Sequence, residues 1–498
     1  MPETTIASTL RERARDRGDH DLLVVDTERL SYTEAERRSA RLARGLIALG
    51  AAKGTHVGVL APNGADFVCR ALAAARIGAV VVPFTTFSTA RELREQLLDG
   101  DIAFLLSVRG FRGHDYVARL TEATTPALPN LRHVVVDDDT VRRAGEPITE
   151  AFLRAVEDAV VGSDPLAIVY TSGSTSRPKG AVHTHASLLN HQRNLNGIRG
   201  LTSDDRLFCN SPFFWIGGFA FGLLATLVAG ATLICSNATD AGDTLDLIEA
   251  ERPTHTNGFA AAIAHLARHP SLASRDLSSL RRGNLYPIMA PDSRPADPEL
   301  RHAMLGMTEA GGTYLLSHDE ADQPEAQRGS YGRPAPGFAT RVEPSGELCI
   351  RGPYVMQGYH RRSREESFDA DGWFHTGDLV RVDADGFVHY LGRSGAMIKT
   401  AGANVSPVEV ANAITRVTNG CTAHVFGLPD PDRGQIVAAV VALPDDRPFD
   451  PVAVRAALGR ELSAYKLPRR IIGVRATSIP VLSSGKVDSR ALPGLFDD

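Results

Sequence analysis

Cysteine is scarce in this chain of 498 residues. There are five, Cys69, Cys209, Cys235, Cys349 and Cys421, all far apart and with no CxxC pair. That spacing excludes a disulfide framework and offers no zinc motif or cysteine nucleophile; reduced thiols are expected. Long apolar runs are also missing. The N-terminal PETTIASTLRERARDRGD has none, and no later stretch is long enough to cross a bilayer, so neither a signal nor a membrane anchor is expected and the location reads as cytoplasmic. A basic excess is missing too. Lys and Arg number 54 against 59 Asp and Glu, a net charge of -5, and the arginines are scattered, so no nucleic-acid partner is expected.

What is present is a length too great for one ordinary core, with 43% hydrophobic residues to build several. Ile6 to Arg17 reads as an amphipathic helix. Thr33 is placed to cap a second helix, whose apolar groups recur at helical spacing from Arg37 to Leu49. THVGVLAPNG reads as a buried strand, ADFVCRALAAARIGA as a helix and AVVVPF as a strand. A helix at Arg91 to Leu98 and a strand at Ile102 to Leu106 repeat the pattern. Such alternation predicts parallel α/β layers. The run Asp137, Asp138, Asp139 reads as a solvated strand end rather than a metal site.

The stretch Tyr170 to Gly180, YTSGSTSRPKG, follows the apolar Leu166 to Val169. Thr171, Ser172, Ser174 and Thr175 supply hydroxyls, Gly173 lets the backbone approach closely, and Arg177 and Lys179 carry positive charge. That composition suits a loop wrapped around polyphosphate oxygens, although it is not a Walker loop. The alternative is an ordinary polar surface loop. His183 and His185 lie two apart, the wrong spacing for ligands on one helical face, so a helix cap or substrate contact is favoured over a metal pair. Phe213, Phe214 and Trp215 precede Gly217-Gly218 and read either as core or as an apolar wall beside a ligand. Further on, Thr308 and Glu309 stand in GMTE: the hydroxyl can bond a phosphate oxygen, and the carboxylate can bind the magnesium that accompanies ATP.

With these motifs in hand, the chain resembles the adenylate-forming superfamily of acyl-CoA synthetases, aryl-CoA ligases, luciferases and peptide-synthetase adenylation domains. YTSGSTSRPKG, GMTE, GWFHTGDL, GRSGAMIKTAGANVSPVEV and LSSGKVDSR occur in that family's order, between Ser31 and Arg490. The resemblance implies an α/β fold with a large multi-sheet N-terminal domain, residues 1–393, and a smaller mobile α+β lid, residues 394–498. It implies that Asp378 holds the ATP ribose, that Arg393 contacts the nucleotide, and that Lys486 is the catalytic lysine, acting with Thr308 and Glu309. Gly395 would be the hinge and Gly402 would border the coenzyme A tunnel. Phe213, Phe214, Trp215 and Gly217 would line the acid pocket. ATP and Mg2+ would be used to activate a small-molecule carboxylic acid, with coenzyme A as the co-substrate; a homodimer is one assembly the family allows.

Four positions depart from the family pattern. Ser176 replaces a common glycine, Trp215 stands at a histidine position, Leu305 stands where a tyrosine often stacks on adenine, and Gly395 takes the pivot position. They keep two other readings open: transfer to a carrier protein or amine, and a catalytically weak nucleotide-binding regulator.

Overall fold

A computed structural model describes residues 4–171, 178–258, 263–297, 299–301, 303–317, 322–393, 397–444, 448–480, 487–488 and 491–496. The described residues form two compact units. One draws on residues 4–86, 97–171 and 180–392, the other on 87–96, 178–179 and 393–496.

In the first unit the helix Ile6–Arg17 starts at a reciprocal cap between Thr5 and Ser8. The helix Tyr32–Ala48 is capped by Ser31, whose hydroxyl accepts the Glu34 N–H. Thr33, the expected cap, therefore lies inside the first turn. Ser31 has the extended backbone a cap needs, and Tyr32 is already buried on the core face.

Two sheets dominate. One runs in the order Gly358–Tyr359, Lys179–Thr184, Pro165–Thr171, Val80–Pro83, His56–Leu60, Phe104–Ser107, His133–Val135. From Pro165–Thr171 to His133–Val135 its pairings are parallel, and helices such as Ala65–Arg76 provide the crossovers. The other sheet runs Arg282–Gly283, His255–Asn257, Arg206–Cys209, Thr232–Cys235, Asp21–Val25, Glu28–Ser31, parallel except at its last pair. Strands buried on both faces explain runs such as VVVP and TLIC, which do not alternate. A continuous apolar core joins these sheets and their helices.

The acidic run after His133–Val135 is a helix start rather than a solvated strand end. Asp137 caps the helix Asp138–Ala144, and Asp138 meets the buried Arg70 at 3.0 Å. Elsewhere in this unit Arg76 is buried with Glu157 at 2.5 Å and Glu36 at 2.7 Å, and Arg11 also pairs with Glu157. Three smaller sheets belong to the unit: Met304–Met307, Gly312–Leu316, Arg333–Pro334; Ala339–Val342, Glu347–Arg351, Phe374–Val382, Val388–Arg393; and the two-stranded Gly110–Phe111, His114–Asp115.

The second unit is built on the antiparallel pair Thr422–Asp430 and Gly434–Leu443, with Arg470–Arg475 parallel to the latter. Helices Pro407–Val417 and Pro451–Glu461 cover an apolar cluster that includes Val410, Ile414, Val441 and Leu458. Among the described residues no helix is long and apolar enough to cross a membrane.

Candidate functional site

The strand Met304–Met307 runs into a single tight turn, Thr308–Ala310, which ends at Gly311 with φ +68. Glycine adopts that left-handed conformation at no steric cost. Four contacts from distant parts of the chain fix the turn. The His183 Nε2–H donates to the Thr308 carbonyl at 2.7 Å, and the Gln192 amide donates to the Gly311 carbonyl at 3.3 Å. The Met356 N–H reaches the Glu309 carbonyl at 2.8 Å, and the Tyr359 hydroxyl donates to Glu309 Oε1 at 2.6 Å.

Glu309 is only 7% exposed. Its oxygen partner is a neutral phenol, and among the described residues it enters no ion pair. A buried carboxylate is costly unless a cation or several donors offset it. Glu309 is thus a hard oxygen donor that meets no cation among the described residues, a donor type that fits magnesium. Burial holds His183 neutral, lowering its pKa from 6.5 to about 4. A neutral ring with its proton on Nε2 is the form that donates to Thr308, and Nδ1 has no hydrogen-bond partner among the described residues.

Asp378 lies on the long strand Phe374–Val382 and is 6% exposed. Its N–H donates to Thr376 Oγ1 at 3.0 Å, and Oδ2 accepts from the Tyr314 hydroxyl at 3.1 Å. Tyr314 belongs to the strand Gly312–Leu316, which immediately follows the Thr308 turn. The carboxylate therefore comes with a hydrogen-bonded second oxygen, an arrangement suited to accepting from a vicinal diol.

The first unit also contains Thr171, at the end of the strand Pro165–Thr171. That strand is anchored by Tyr170, whose hydroxyl donates to Asp99 at 2.7 Å. Lys179 opens the strand Lys179–Thr184, and Arg393 closes Val388–Arg393. Ser172, Gly173, Ser174, Thr175, Ser176, Arg177, Gly395 and Lys486 lie outside the described residues. Gly402, φ +84, occupies a two-residue hairpin turn with Ala401, between Ile398–Thr400 and Ala403–Val405.

The aromatic group divides. Phe213 is wholly buried against Phe67, with ring centroids 5.4 Å apart, and Phe219 packs edge-on to the same Phe67. Phe214 is also buried, whereas Trp215 is half-buried and packs edge-on to Phe214. Beside Gly217 there is room: an added Cβ would meet nothing nearer than Ser211 Oγ at 3.8 Å. His183 and His185 are both buried and serve the protein itself; His185 Nδ1 accepts the Ile6 N–H at 3.2 Å.

The motif order matches an established sequence family. Residues 10–360 match the model of the AMP-binding enzymes, and residues 409–486 match the AMP-binding enzyme C-terminal domain. The chain belongs to the AMP-binding enzyme family. Its reaction class is accordingly adenylate formation. A similar AMP-binding enzyme is the 3-[(3aS,4S,7aS)-7a-methyl-1,5-dioxo-octahydro-1H-inden-4-yl]propanoyl:CoA ligase of Mycobacterium tuberculosis, 32% identical and covering 98% of both chains. Another is the feruloyl-CoA synthase of an Amycolatopsis species, 34% identical over 92% of both. In fold it resembles the amide bond synthetase McbA from Marinactinospora thermotolerans. The TM-score is 0.82 at 24% identity, covering 98% of this chain and 99% of that one.

Sequence reasoning missed the residues that brace this AMP-binding enzyme's site: Tyr359, Tyr314 and Gln192. Each is an ordinary residue in its own segment and acquires its role only across 50, 64 and 119 positions of chain. It also missed the π-helical turn Phe219–Leu224 directly after the aromatic group. That segment is apolar on every side, so no periodicity signals the extra residue, although such turns often mark functional sites.

Proposed function

We propose that this AMP-binding enzyme is an ATP- and Mg2+-dependent acid:CoA ligase acting on an apolar, ring-bearing carboxylic acid. The observation that carries the nucleotide half is Glu309, buried beside Thr308 with a phenol as its partner. Glu309 holds the magnesium, and Thr308 bonds a phosphate oxygen. When bound, magnesium offsets charge on the departing pyrophosphate. Asp378, backed by Tyr314, takes the ribose hydroxyls. The hydroxyl-rich loop from Thr171 to Lys179 contributes N–H and cationic groups to the phosphates, with Arg393 on the nucleotide.

The acid's carboxylate attacks the α-phosphate, and pyrophosphate leaves. Lys486 stabilises the charge developed there. The smaller domain, residues 394–498, then turns about Gly395, and the coenzyme A thiol, entering past Gly402, attacks the acyl carbon and releases AMP. Support for the acid class comes from the two relatives, whose names specify a bicyclic propanoate and ferulate. Trp215 and the space beside Gly217 would border that acid; Phe213 would support the wall from the core.

Mass spectrometry of the purified protein with ATP, Mg2+, coenzyme A and a panel of ring-bearing and linear acids tests this reading. Acid-dependent AMP and a CoA thioester are expected, fastest with ring-bearing acids. Adenylate without thioester across the panel would move the acceptor to a carrier protein or an amine. ATP binding without turnover would overturn the enzymatic reading.

A further inference from the structure

Outside the nucleotide site, three kinds of metal-ligating side chain meet on one antiparallel sheet. Cys349, on Glu347–Arg351, is the direct cross-strand partner of His375, on Phe374–Val382. Cys349 Sγ and His375 Nδ1 are 3.5 Å apart, and Glu347 Oε2 is 3.1 Å from the same nitrogen. The ligand atoms of Glu347, Cys349 and His375 all lie within 4.8 Å of one another. Glu343 Oε1 approaches Cys349 Sγ at 3.8 Å.

A Cys–His–Glu nucleophile is the first chemistry to consider, and the geometry opposes it. In a triad the imidazole faces the thiol with one nitrogen and the carboxylate with the other. Here both contacts fall on Nδ1. The Cys349 thiol is also pushed up to about 11, by burial first and then by Glu347 and Glu343, so it is not activated.

Two donors crowding one nitrogen are what a shared central ion would relieve. Ordinary zinc bond lengths give tetrahedral ligand separations of about 3.3 Å for N to O and about 3.6 Å for N to S. The observed separations are 3.1 and 3.5 Å. A thiolate, an imidazole and a carboxylate together favour a borderline-soft divalent cation over magnesium or calcium. We propose that Glu347, Cys349 and His375 form a three-ligand zinc site whose fourth position takes water.

A supporting contact is in place: Glu347 Oε1 accepts the Gly377 N–H at 2.9 Å, which orients Oε2 towards the site. Arg341 is the opposing group. It sits across from Cys349 in the register and pairs with Glu343 at 2.6 Å and Asp369 at 2.7 Å. Arg341 stays on Glu343 and Asp369 as a nearby positive charge, and the Cys349 proton passes to solvent when zinc binds. The ion then cross-links the strand that carries Asp378 to its neighbour. This assignment stands apart from the proposed ligase activity.

The test is metal binding to the intact chain without nucleotide, using Zn2+ calorimetry and Co2+ absorption. One equivalent of zinc and a sulfur-to-cobalt charge-transfer band are expected. Cys349→Ser removes the band, and His375→Gln, a change at a side chain 39% exposed, weakens zinc binding about 10-fold or more. Arg341→Gln tightens it, and Glu309→Gln leaves it unchanged, which separates this site from the magnesium carboxylate. No band in the wild-type chain, or a band that survives Cys349→Ser, overturns the proposal. If Cys349→Ser does not fold, unchanged zinc affinity in His375→Gln overturns it equally.

Discussion

Glu157 and Glu309 are both buried carboxylates of the first unit, exposed by 3% and 7%, and the chain treats them in opposite ways. Glu157 receives Arg76 at 2.5 Å and a second arginine, Arg11. Its charge is offset from within, and three helices are tied together by it: Ile6–Arg17, Ala65–Arg76 and Glu150–Asp158. Glu309 receives a phenol and a backbone turn, and no arginine or lysine among the described residues. The first carboxylate is a structural device. The second meets a phenol and, among the described residues, no cation, and that difference is what motivates its proposed role as a magnesium ligand.

This contrast is broken if the two residues respond alike to the same isosteric change. Glu309→Gln is expected to lower kcat/KM for acid-dependent pyrophosphate release by about 10²–10³-fold. Its unfolding midpoint should be nearly unchanged, because Gln keeps the shape of the side chain and its oxygen can still accept from the Tyr359 hydroxyl. Glu157→Gln should do the reverse, destabilising the fold by about 1–3 kcal/mol because it weakens the hydrogen-bonded ion pairs to buried Arg76 and to Arg11. Denaturant titration beside a steady-state assay reads both. Activity per folded molecule should be retained in Glu157→Gln.

Tyr359→Phe sharpens the contrast. It removes the hydroxyl that donates to Glu309, and an orienting contact of this kind is worth about 10-fold in metal affinity or activity. Stability should change by only about 1 kcal/mol. A loss equal to that of Glu309→Gln would mean that the phenol itself touches the substrate.

The smallest expected effect concerns pH. Burial lowers His183 from 6.5 to about 4, so between those values the unfolded chain takes up the proton more readily than the folded one. The stability is present above the unfolded pKa and is lost as pH falls through the folded value. His185, also lowered to about 4, and His191, lowered to about 3, add to the same slope. His183→Leu should therefore flatten, without abolishing, the fall in stability from pH 6.5 to 4 seen by denaturant titration.

Sequence periodicity located the helix Ile6–Arg17, because it has one apolar face. It misplaced the cap of Tyr32–Ala48, where Ser31 and Thr33 are both hydroxyl residues and only backbone geometry distinguishes them. Motifs pointed to Thr308, Glu309 and Asp378, whose chemistry is carried by their own side chains. Tyr359, Tyr314 and His183 were not legible as partners, since nothing local marks a tyrosine or histidine as the brace of a residue 50 to 125 positions away. The Cys349–His375 pair is hidden for the same reason: its members are 26 positions apart and meet only through strand register.

The central claim is that Glu309 is reserved for the cation that accompanies ATP. Its most direct test is an electron paramagnetic resonance titration of Mn2+, standing in for Mg2+, in the presence of ATP. The wild-type chain and Glu157→Gln, at a temperature where the variant is folded, should bind the manganese–nucleotide complex alike, while Glu309→Gln should bind it at least about 10-fold more weakly. Equal binding by Glu309→Gln and the wild-type chain would contradict the account.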